Sequence, residues 1–268
     1  MVREGDVIAS SFLSAAEIDQ LARHAGDRRM PRDVRDTFAA RVEAMARRVN
    51  PAVDRLRTAV FHTRLPQGWQ TESTNVYVHP AFVTLWIPLA AETVIEAVDT
   101  DALPPEIANE LRGRDSIRVV VRDGHAVLLD SARRRRFVVD PRILDAAAVR
   151  VTAPGDVLVL GPDVLHRGSG GLAISFRVID SRAVVTRQRL TEMGAIKFDS
   201  MARMRTAFAR RLATFQIAQR DSLSIADYDA IYDELETREK QACKRLGVGH
   251  LSNVAFEDLV YELTMEHV

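Results

Sequence analysis

Hydrophobic positions along this chain change their period twice. In the opening stretch, "GDVIASSFLSAAEIDQLARHA" predicts a short strand and then a helix, with Ser14 as N-cap and Glu17 three residues on completing a capping box. A second helix is predicted in "VRDTFAARVEAMARRV", where Phe38, Val42, Met45 and Val49 recur at helical steps and Pro51 follows. Both helices are expected to pack on a sheet.

From Ala59 the pattern becomes one of short segments rich in Val, Ile, Leu and Phe: "AVFHTRL", "STNVYVH", "VTLWIPLA", "SIRVVVRDG", "HAVLLDS", "RRFVVD", "AVRVTA", "GDVLVLG" and "LAISFRVIDSRAVV". Turn residues separate most of them, as in "RDGH" and "APGD". So many short strands predict an antiparallel sandwich or barrel, the jelly roll being one solution. After about Thr191 helical spacing returns. Met201, Met204, Phe208, Leu212 and Phe215 predict one amphipathic helix, Ser224 to Leu246 a second that stops at Gly247, and Ser252 starts a third. The expected organisation is mainly β with helices: a jelly-roll domain with N-terminal helices over 1–190, and a C-terminal helical subdomain over 191–268.

Composition narrows the classes. The 268 residues, 47% hydrophobic, suffice for one sizeable core. Lysine plus arginine equals aspartate plus glutamate at 37 each, so no global field attracts nucleic acid or an anionic membrane. Cys243 is the single cysteine, which excludes an intrachain disulfide and a zinc ribbon and fits a reducing cytoplasm. The chain shows no apolar signal region after its first basic residues and no run of the roughly 18 apolar residues a membrane span requires, so export and insertion are not expected. An arginine-rich, alanine-rich composition reads as the coding bias of a GC-rich bacterium. GxGxxG, P-loop, GxSxG and HExxH motifs are all lacking.

The chemistry concentrates in "APGDVLVLGPDVLHRGSGGLAISFRVID". A turn at Pro154-Gly155-Asp156 feeds an apolar strand, a loop presents His166, glycines turn the chain, and a returning strand carries Ser175 and Arg177 on one face. An arginine inside an apolar strand is costly unless an anion meets it. That anion is either a ligand carboxylate or an acidic neighbour such as Glu72.

This segment, with Arg177 eleven residues beyond His166, resembles the phytanoyl-CoA dioxygenase-like family of iron(II)/2-oxoglutarate oxygenases. "GDVIASSFLSAAEIDQL" and "VTLWIPLA" are similar to that family's opening elements and to the strand after its first metal motif. The resemblance covers roughly Val2 to Val185. It implies a double-stranded β-helix of the cupin type, His166 as the distal iron ligand, and Arg177 paired with the distal carboxylate of 2-oxoglutarate. Thr84, on the face of Trp86, is a further candidate for contact with the oxoacid.

The family's first metal motif is a tryptophan followed by His-x-Asp. Here Trp69 stands in place, Gln70 takes the histidine position, and Glu72, fourteen residues before Trp86, takes the aspartate position. The implied metal set is therefore Gln70, Glu72 and His166, with His79 or His62 as substitute donors for the missing imidazole. An alternative registration reads His79-Pro80-Ala81 as the His-x-Ala of halogenating members.

The expected function is iron(II)/2-oxoglutarate-dependent oxidation of a small molecule in bacterial specialised metabolism. Two alternatives stay open. In one, iron is lost and Glu72 and His166 serve as acid and base in a non-redox isomerisation, cyclisation or elimination. In the other, the chain is a non-catalytic subunit whose C-terminal helices bind a partner protein.

Overall fold

The computed structural model describes residues 7–27, 30–65, 68–70, 82–111, 117–122, 125–130, 135–161, 164–191 and 202–267. Of these, the residues up to Asp180 form one compact unit and those from Ser181 another.

The first unit runs β1 (Val7–Ala9), α1 (Ala15–Ala22), α2 (Arg32–Val49), β2 (Arg55–His62), β3 (Phe82–Pro88), β4 (Val94–Val98), α3 (Pro105–Leu111), β5 (Ile117–Arg122), β6 (His125–Asp130), β7 (Arg135–Val139), α4 (Pro141–Ala146), β8 (Ala148–Val151), β9 (Val157–Leu160), β10 (His166–Ser169) and β11 (Ala173–Ile179). One antiparallel sheet has the order β1-β9-β3-β11-β2, a second β10-β4-β8, and β5-β6-β7 form a third.

Alternation along the strands explains how the first two sheets are covered. On β11, Ile174, Phe176 and Val178 face outward and join Val83, Leu85 and Ile87 of β3 in a cluster with Phe38, Val42 and Ala46 of α2. The periodic residues of α2 therefore close the outer face, with the Phe38 and Phe176 rings 6.0 Å apart. The capping box of Ser14 and Glu17 starts α1 as expected. On the inner face, Trp86, Leu158, Leu160 and Ala173 meet Ile95 and Ala97 of β4 and Val151 of β8. Two antiparallel sheets thus pack face to face. The outer face of the second sheet lies under Leu103, Ala108 of α3 and Leu144 of α4.

Several elements differ from expectation. β2 begins at Arg55, four residues before the apolar run. β4 was not expected, because Glu96 interrupts its apolar pattern, yet that glutamate is neutralised by arginines on the two flanking strands. His166 opens a strand rather than sitting in a loop, since β10 pairs with β4 along its whole length. The run "LAISFRVIDSRAVV" breaks after Ile179 and resumes as β12 (Val184–Thr186). The strand expected over 73–79 lies outside the described residues.

The second unit continues with α5 (Ala202–Ala218), β13 (Ser222–Ser224) paired to β12, α6 (Ile225–Leu246) and α7 (Asn253–Glu266). Gly247 ends α6 in the left-handed region at φ 67°, and the Ser252 side chain caps α7. Ala213, Ile217, Leu235, Leu259 and Leu263 form its core. Among the described residues, no helix is long and apolar enough to cross a membrane.

Candidate functional site

His166 sits where β10 begins, 2% exposed, and pairs in register with Ala97 of β4. On its other side it forms an antiparallel bridge with Gln70. The Gln70 N–H donates to the His166 carbonyl at 3.0 Å, and the His166 N–H donates to the Gln70 carbonyl at 2.8 Å. Residues directly opposed in an antiparallel pair project from the same face, so the two side chains are neighbours on the inner side of the second sheet. Nδ1 of His166 lies 3.1 Å from the Val164 carbonyl oxygen. A carbonyl only accepts, so in the neutral ring Nδ1 carries the proton and Nε2 the lone pair. This is the tautomer of a metal ligand or a general base.

The first sheet contributes a polar strip to the same interior. Arg177 on β11 stands in register with Thr84 on β3, and Ser175 with Trp86. On the opposite flank Arg177 faces Thr58 of β2, and the register shifts between Arg177 and Val178. The Arg177 guanidinium lies 5.3 Å from the Phe82 ring centroid. Thr84 is 1% exposed, and its buried hydroxyl has no hydrogen-bond partner among the described residues. Leaving such a group unsatisfied costs about 1–3 kcal/mol, which a ligand oxygen would recover. His62 Nε2 is 2.8 Å from Ser175 Oγ, and its ring packs 4.4 Å from that of Trp86. Trp86 in turn packs 5.9 Å from His166, so one indole touches both histidines.

The outer face of the second sheet holds a charge row directly behind this site. Arg167, Glu96 and Arg150 stand opposite one another across β10, β4 and β8. Glu96 accepts from Arg167 and from Arg150, each at 2.5 Å. Arg167 also meets Asp145 of α4 at 3.0 Å, and its guanidinium lies 4.3 Å over the Trp69 ring. Burial alone would push Glu96 up, but the two guanidiniums outweigh it and hold the carboxyl below the usual carboxylate range.

The structure therefore brings Gln70 beside His166 and Arg177 beside Thr84, both pairs on inner faces. Glu72 and His79 lie outside the described residues. His62 is hydrogen-bonded to Ser175 and packed on Trp86. Sequence reasoning missed Glu96 and Arg167, and it used Trp69 only as a motif position. Nothing local to those residues signals their contacts, which cross three strands.

A divalent metal fits this pairing in part: an imidazole in the ligand tautomer faces a side chain whose amide oxygen is a neutral donor. Among the described residues no three His, Cys, Asp or Glu side chains converge.

No protein-family model matches the chain, and no curated protein does. Among solved structures it is similar to a non-heme alpha ketoglutarate dependent carbocyclase, SnoK, from nogalamycin biosynthesis, at 14% identity and a TM-score of 0.44, covering 68% of this chain and 82% of that one. It is also similar to EvdO2 from Micromonospora carbonacea var. aurantiaca, at 13% identity and a TM-score of 0.39, covering 66% and 87%. Likeness at this level bears on neither substrate nor chemistry. The class defined here is a protein of two facing antiparallel sheets with a helical second unit, a buried histidine on one sheet and an arginine on the other.

Proposed function

We propose that the chain is an iron(II)/2-oxoglutarate-dependent oxygenase of bacterial specialised metabolism, cytoplasmic and acting on a small molecule, with its two facing sheets arranged as a jelly roll. The observation that carries this reading is the bridge between Gln70 and His166, which agrees with the motif placement of position 70 as the partner of the distal histidine. Gln70, Glu72 and His166 hold the metal in this reading, and Arg177 with Thr84 holds the oxoacid carboxylate. When bound, iron and 2-oxoglutarate supply the oxidising chemistry.

The chain's own residues do the rest. Val164 holds the His166 proton on Nδ1, which presents Nε2 to the interior. Arg177 offers a planar guanidinium for a bidentate carboxylate contact, and the Thr84 hydroxyl lies in the same register. Trp86 and the surrounding aliphatic residues keep water from the metal side. Gln70 offers a neutral amide oxygen, a weaker donor to iron(II) than imidazole, so metal affinity is low. That same amide favours a second reading, in which no iron is held and Glu72 and His166 act as acid and base on a substrate anchored at Arg177.

Anaerobic titration with iron(II) and 2-oxoglutarate separates the two readings. It follows the weak visible charge-transfer band in wild type, Gln70→His and His166→Ala. A band in wild type that His166→Ala abolishes supports the oxygenase. A band seen only in Gln70→His overturns it in favour of non-redox chemistry.

A further inference from the structure

The segment carrying Gln70 is fastened to β10 by backbone hydrogen bonds at one residue alone among those described, the reciprocal pair with His166. One such pair does not by itself fix a strand's register. A slip of one residue would carry Gln70 to the outer face and Trp69 inward. The neighbouring side chain opposes the slip. Trp69 is 3% exposed, packed among Val98, Leu144 and Leu165, and roofed by the Arg167 guanidinium at 4.3 Å.

Arg167 has little freedom to move away. Glu96 takes its Nε at 2.5 Å and Asp145 takes a terminal nitrogen at 3.0 Å, while Arg150 holds Glu96 from the far side at 2.5 Å. A planar guanidinium satisfies both carboxylates and still lies flat on an indole, a combination a lysine ammonium does not offer. Because residues 166 and 167 project from opposite faces of β10, and 69 and 70 from opposite faces of their segment, the outer pair reports directly on the inner one.

We propose that Arg167 is a positioning residue, which acts through Trp69 to hold the register that keeps Gln70 facing His166. Its consequence for metal binding rests on the function proposed above; the register lock itself does not. The test uses metal-free full-length protein. Hydrogen exchange of the Gln70 amide is compared with that of the Phe176 amide in wild type, Arg167→Leu, Arg167→Lys and Trp69→Phe, and urea unfolding gives each variant's global stability.

In Arg167→Leu the Gln70 amide exchanges about tenfold faster than the global change accounts for, as expected for losing one cation–π contact of about 1.4 kcal/mol. Phe176 follows global stability alone. Arg167→Lys falls between, and Trp69→Phe, which keeps a ring beneath the guanidinium, stays near wild type. Equal acceleration at Gln70 and Phe176 would make Arg167 a general stabiliser and overturn the proposal. Cobalt(II) affinity, read by visible absorption, falls about tenfold in Arg167→Leu if the metal reading holds. Failure of wild type to bind cobalt(II) sinks that reading, while the exchange data still decide the role of Arg167.

Discussion

Replacing Glu96 with glutamine removes the negative charge shared by two arginines while keeping the side chain's shape. The Glu96 side chain is 11% exposed and Arg167's 25%, so their contact is a partly desolvated, charge-assisted hydrogen bond, which contributes about 1.5–2 kcal/mol. The Arg150 side chain is 59% exposed, so solvent screening reduces its share to a few tenths of a kcal/mol. Glu96→Gln is therefore expected to lose about 2 kcal/mol at pH 7. The folded carboxyl lies below its ordinary value because the guanidiniums outweigh the cost of burial. Its contribution is complete above the unfolded value of about 4.3 and disappears as pH falls through the lower, folded one. Urea unfolding of wild type and variant at neutral and strongly acidic pH checks this. The gap in stability should be wide at pH 7 and should close in acid, where wild type also becomes neutral at this position. A gap of equal size at both pH values would mean that packing, not charge, makes Glu96 important.

Two glycines with positive φ provide a contrast. A Cβ at Gly170 (φ 92°) would lie 2.0 Å from the Glu92 carbonyl oxygen, whereas one at Gly247 (φ 67°) meets nothing within 4 Å. Gly247→Ala should cost about 1 kcal/mol in denaturant unfolding, the price of the left-handed backbone, and Gly170→Ala about 3 kcal/mol or more because the backbone itself must shift. Equal costs would remove the argument from close approach. Ser14→Ala, which deletes the hydroxyl that accepts from the Glu17 N–H, should cost about 1 kcal/mol in thermal or urea unfolding.

Elements whose signals are local were legible in the sequence. The capping box of α1, the periodic face of α2, and the Ser224, Gly247 and Ser252 boundaries of the C-terminal helices all fall where side-chain chemistry within four residues places them. Asp140 followed by Pro141 likewise marks the start of α4 locally, an N-cap with proline in the first turn. β4 was hidden for a different reason. Glu96 reads as a surface residue until Arg150 and Arg167, more than fifty residues away in sequence, are placed beside it. For the candidate site, the family resemblance put Gln70 and His166 in one implied metal set, and strand alternation set Arg177 with Ser175. The hydrogen bond of His62 to Ser175 and the stacking of Arg167 on Trp69 depend on which strands become neighbours, and no single segment encodes that.

The opposed facing of neighbouring residues separates two kinds of selective pressure. Trp69 and Arg167 hold the strands together from one side, while Gln70 and His166 confront whatever enters from the other. Exchanging the inward side chain at position 70 leaves every anchoring contact on the outer face intact. Under the function proposed above, a donor at position 70 can therefore be weakened or restored by a single substitution at little risk to folding.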